Sequence, residues 1–93
     1  MTQVATQNQP QVGAAEESDT RLWGKFTSLG TAYGKTIANF NPSNGSPYQT
    51  VYIPDNLQDY VKTALVHQLN TLTGFDKPFN SGGVNVTGLS IYN

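Results

Sequence analysis

No cysteine occurs in this chain, which excludes a disulfide framework, a thiolate metal site and a cysteine nucleophile together. Charge is nearly as scarce. Charged side chains make up 12% of the 93 residues, against about 25% in ordinary soluble domains. The net charge of −1 supplies no strong field for a polyanion, which argues against nucleic acid as a partner. Histidine is limited to His67, whose neighbours four residues away are Thr63 and Thr71. No carboxylate at helical spacing is there to orient or tune it for proton transfer. No apolar run approaches the roughly 18 residues of a membrane span. The first residues lack the basic and apolar stretches of a secretory signal, so none is expected. Gly82-Gly83 and Asn44-Gly45 have neither the lysine and hydroxyl of a phosphate loop nor the three-glycine dinucleotide pattern. Asp55 and Asp59 stand four apart, far short of the roughly six to eight oxygens of a calcium cage. Together these absences predict a protein that is not an enzyme and uses no cofactor or metal.

What is present is polar and uncharged. Asn, Gln, Ser and Thr supply 33 of the 93 residues. Weak charge means weak long-range repulsion between copies, which favours association. All ten aromatic residues lie between Trp23 and Tyr92, and residues 1–19 have none. That first stretch cannot bury enough surface to offset chain entropy. The expected organisation is therefore a flexible or extended polar arm at 1–19 followed by one small domain at 20–93.

Periodicity predicts an α+β domain. Leu57, Tyr60, Val61, Ala64, Leu65, Leu69 and Leu72 recur at helical spacing, so a helix is expected over 56–73, with Asp55 as its N-cap and Gly74 just past its end. Leu65 and Leu69 lie at the centre of that apolar face. Leu22, Phe26, Leu29, Tyr33, Ile37 and Phe40 recur at spacings of 4, 3, 4, 4 and 3, which reads as a second helix over 20–40. Gly24, Gly30 and Gly34, with Thr27, Thr31 and Thr36, oppose that reading. The competing one is two strands, Leu22–Leu29 and Ala32–Phe40, turning at Gly30-Thr31. Tyr48–Ile53 alternates as a strand, with Tyr48, Thr50 and Tyr52 on one side and Val51 and Ile53 on the other. Phe75–Phe79 is a loop anchored by its two aromatics. Val84–Ile91 is a small hairpin or one strand with a bulge.

The functional expectation is a structural or assembly protein. Its leading form is a virion subunit, a capsid-stabilising or accessory protein of a bacteriophage, binding further protein subunits of its own or another kind. The alternative is a small cytoplasmic inhibitor or adaptor that covers a partner protein's surface. Trp23, Phe26, Gly30, Tyr33, Gly34, Phe75 and Phe79 are the candidate interface residues. Aromatics stand beside basic residues at Trp23, Lys25, Phe26 and again at Tyr33, Lys35, the pairing that single-strand binders use for stacking and phosphate contact. The overall charge weighs against that use.

Overall fold

The structure is a computed structural model that describes residues 18–92. All but the last two residues of the expected arm, Ser18 and Asp19, lie outside the described residues. Five strands form one antiparallel sheet: β1 Arg21–Ala32, β2 Lys35–Pro42, β3 Gln49–Tyr52, β4 Asn70–Phe75 and β5 Val86–Tyr92. Among the described residues a single α-helix, α1 Gln58–His67, lies between β3 and β4 in the chain. The α+β class stands. Among the described residues no helix is long and apolar enough to cross a membrane.

Residues 20–40 form a β-hairpin, not a helix. The strands meet at Tyr33-Gly34, three residues beyond the turn expected for the strand reading. The helical spacing has a local cause. Leu22, Gly24 and Phe26 alternate inward along β1, but the register with β2 shifts between Phe26 and Ser28. That bulge adds one residue, so the next inward side chain is Leu29 rather than residue 28. Spacings of 4 and then 3 result, and they imitate a helix turn.

The expected helix over 56–73 is also shorter. A 3-10 turn at Asp55–Leu57 leads into α1, which ends where Gln68 adopts a left-handed φ of 53°. Residues beyond it turn back as β4. Thr71 and Thr73 are β-branched and fully buried within that strand, where their shape suits a pleated surface. Gly74 lies inside β4 and does not terminate a helix. Nor is Asp55 the N-cap: Leu57 holds that position without a side-chain hydrogen bond. Asp55 Oδ1 instead accepts from Gln58 Nε2 at 3.0 Å. The buried face of α1 is Val61 and Ala64, while Leu65 and Leu69 are half-buried. A ten-residue helix packed chiefly against β1 presents only a narrow stripe to the core.

The strand order is β3-β2-β1-β4-β5. β4 therefore returns after β3 and α1 to lie beside β1, a Greek-key connection. The sheet then curls on itself. Tyr52 on β3 makes a parallel bridge to Asn85 just before β5, with Tyr52 N donating to Val84 O at 3.0 Å. The two outer strands thus meet at one point, and the sheet forms a partly closed barrel. Inside it, the Phe40 ring meets Phe26, Phe75 and Phe79 at centroid separations of 5.1, 5.5 and 5.7 Å, edge-on in each case. Val51, Val84 and Val86 fill the remaining space. Residues 18–20 belong to this unit, since Phe79 N donates to Asp19 O and Phe75 N to Thr20 O at 2.9 and 2.8 Å.

Candidate functional site

Strand alternation assigns each residue of the first three strands to a side. Ala38 and Phe40 on β2 and Val51 on β3 point inward and are buried. Lys35, Ile37, Asn39 and Asn41 therefore face outward on β2, as do Tyr48, Thr50 and Tyr52 at β3. Register then sets them side by side. Ile37 lies opposite both Gly30 of β1 and Tyr52 of β3, and Asn39 lies opposite Thr50. The Thr50 hydroxyl donates to Asn39 Oδ1 at 2.7 Å across this surface.

The surface is shallow on the β1 side. A Cβ built on Gly30 would meet nothing within 4 Å, so the flank beside Ile37 is open. On the other flank the Tyr52 ring lies outward, and Lys35 Nζ sits over it at 4.9 Å from the centroid. This cation–π contact holds an ammonium against the electron-rich ring. A cleft of about 280 Å³ adjoins the pair and runs along the β3–β5 seam, lined among others by Gly34, Thr36, Asp55 and Asn85. Gln58 Nε2 ties its floor together by donating to Thr36 Oγ1 at 2.7 Å as well as to Asp55.

The loop between β4 and β5 reaches the same seam. Asp76 and Asn85 close its two ends: Asp76 Oδ1 accepts from Asn85 N and Oδ2 from Asn85 Nδ2, both at 2.9 Å. The Asn85 side-chain and backbone hydrogen bonds favour the ionised carboxyl and hold Asp76 below its ordinary pKa.

Charge is sorted by position. The described residues carry five cations and four carboxylates. Arg21, Lys25 and Lys35 lie on β1 and β2, whereas none of the carboxylates is on a strand. Asp19 precedes β1, Asp55 and Asp59 flank the start of α1, and Asp76 is in the β4–β5 loop. Lys25 pairs with Asn41 in the register, which places it on the outward side.

The seven candidate interface residues divide into two groups. Trp23, Phe26, Phe75 and Phe79 are all buried, the last three in the barrel interior. Trp23 packs on the opposite side of β1, with its ring 4.9 Å from that of Tyr92. Only Gly30, Tyr33 and Gly34 are at the surface, and they lie on or beside the β1–β2–β3 face. Tyr52, Ile37 and Thr50 are additional residues of that face. The alternation of Tyr48, Thr50 and Tyr52 was a visible signal for β3, but their pairing with β2 depends on register. His67 is exposed at the end of α1. Among the described residues no group of three or more potential metal ligands comes together. No known protein family, curated protein or solved structure matches this chain.

Proposed function

We propose that this chain is a non-catalytic binding module that holds single-stranded nucleic acid across the outer face of β1, β2 and β3. The observation that carries the reading is the Lys35–Tyr52 pair on a strand surface free of carboxylates. Three strands in a meander, a helix, then β4 beside β1 and β5 meeting β3 resemble the connectivity of the OB-fold. Barrels of that kind bind oligonucleotides or oligosaccharides on the strand 2–3 face and the loops beside it. Connectivity alone is an analogy; the side chains favour one ligand class over the other. A sugar polymer needs stacking and hydrogen bonds, which Tyr52, Asn39 and Thr50 could supply. It has no use for Lys25 and Lys35 on the outward side of the same strands, whereas phosphates attract such ammonium groups.

The energetics favour stacking on Tyr52. An exposed cation–π contact is worth about 0.5–1 kcal/mol, and a base on an aromatic ring about 1–3 kcal/mol. A base can therefore displace Lys35 from the ring and leave its ammonium free to meet the adjoining phosphate. The net charge of −1 understates this capacity because no carboxylate among the described residues lies on a strand, and the one in the adjoining cleft, Asp55, accepts from Gln58 Nε2. With few cations the affinity is modest, roughly micromolar.

Fluorescence anisotropy of a labelled 15-nucleotide oligo-dT, with the full chain at about 50 mM salt, tests the reading. Saturable binding is expected, weakened at least fivefold by Tyr52→Ala and by Lys35→Ala. The log–log salt slope should lie near −1.4, from about 0.7 per phosphate contact and two contacts. Absence of binding to single-stranded DNA and RNA at 100 μM protein would refute it, and binding of an oligosaccharide instead would reassign the face. A second reading is the assembly subunit expected from composition, which the exposure of Gly30, Tyr33 and Gly34 favours. A chain that binds no oligonucleotide but co-sediments with a larger particle supports that alternative.

A further inference from the structure

The hairpin between β1 and β2 has a two-residue turn, with Ala32 paired to Lys35 across it. Its central residues, Tyr33 and Gly34, both have positive φ, 54° and 74°. Such turns match the twist of the strands and are normally built from Asn, Asp or Gly. Tyrosine is a poor choice there, because its Cβ crowds the following carbonyl in the left-handed region. Burial does not offset that cost, since the Tyr33 side chain is 97% exposed. Ordinary hairpin design would place Asn at this position. The location matters equally: the two residues that follow Tyr33 in the chain, Gly34 and Lys35, line the seam cleft together with Tyr52.

We propose that Tyr33 is a ligand-facing residue, whose ring, held out on a strained turn, stacks on a base of the strand lying across the β1–β2–β3 face. This inference rests on the nucleic-acid reading of that face and adds a stacking site outside the sheet. Backbone strain at a fully exposed aromatic is the mark of a position kept for contact and not for folding.

Tyr33→Asn removes the ring and installs a residue that tolerates the turn. In the full chain, Tm should stay level or rise, by up to about 4–8 °C. Affinity for the same labelled oligo-dT should fall at least fivefold, as expected for the loss of one stacked base. Tyr33→Phe should bind within twofold of wild type. If wild type binds and Tyr33→Asn binds less than fivefold more weakly, the assignment to Tyr33 fails while the face reading stands. The assignment also fails if Tyr33→Asn lowers Tm, which would make tyrosine a stabilising turn residue, or if Tyr33→Phe binds as poorly as Tyr33→Asn. If wild type itself does not bind, both readings fall.

Discussion

Replacing Gly24 with alanine adds one methyl group at the tightest point between β1 and β2. A Cβ there would lie 2.4 Å from the Asn41 carbonyl oxygen, 2.6 Å from Phe40 Cζ and 3.0 Å from Phe40 Cε2. Neither neighbour can yield cheaply. The carbonyl is backbone in the adjoining strand, and Phe40 is wholly buried with its ring wedged among Phe26, Phe75 and Phe79. Overpacking of this kind costs about 1–3 kcal/mol, occasionally more, and two rigid contacts place the penalty at the upper end. Reduced freedom of the unfolded chain returns about 0.4–1 kcal/mol. The expected net loss is about 2 kcal/mol, a large share of the stability of a domain this size. At about 4–8 °C per kcal/mol, the Tm should drop by roughly 8–16 °C. Gly30→Ala is the internal control, because a Cβ there meets nothing within 4 Å and its φ is not positive; it should melt within about 3 °C of wild type. Circular dichroism melts of both variants, with urea unfolding to give free energies, make the comparison. If Gly24→Ala melts like wild type, or if the two variants lose stability equally, the close approach of β1 to Phe40 is wrong.

Thr73 is fully buried and its hydroxyl has no hydrogen-bond partner among the described residues. Thr73→Val should therefore stabilise the fold by about 1 kcal/mol, and a lower midpoint in urea would show that the hydroxyl is satisfied. Val61 is the centre of the buried helix face and Leu69 is only half-buried. Val61→Ala should thus cost about 2 kcal/mol in chemical unfolding and Leu69→Ala less, despite the larger truncation; the reverse order would restore Leu69 to the core. Asp76 has a pKa depressed by the Asn85 side-chain and backbone hydrogen bonds. Its contribution to closing the β4–β5 loop is accordingly present above the unfolded-state carboxylate pKa and is lost as pH falls through the lower, folded value. An NMR titration of the Asn85 amide should show its midpoint below that of Asp in an unstructured peptide; a midpoint at or above that value removes the clamp.

The amino-acid sequence by itself determined the class of the domain and the character of its surface. Val51 and Ile53 inward with Thr50 and Tyr52 outward follow from period-2 alternation, a local property of one strand. The helix start near residue 56 followed from the 3.6-residue recurrence of Leu57, Val61 and Ala64. The recurrence beyond it was misleading, because Leu69 and Leu72 are apolar for a different reason. Leu72 sits in β4 in register with Trp23 on the side of the sheet away from the barrel core. Apolar spacing records which residues are covered, not what covers them. In 20–40 the bulge after Phe26 converted a strand's spacing into a helix's, and only pairing with β2 reveals the extra residue. The candidate site was legible in fragments, as Tyr33 beside Lys35 and as the Tyr48, Thr50, Tyr52 alternation. Tertiary structure alone decided that Lys35 lies over Tyr52, 17 positions away in the chain, and that β4 returns beside β1. Both depend on strand register. Those are choices among long-range pairings, which the burial of the whole Phe26–Phe40–Phe75–Phe79 cluster settles and no local window of residues encodes.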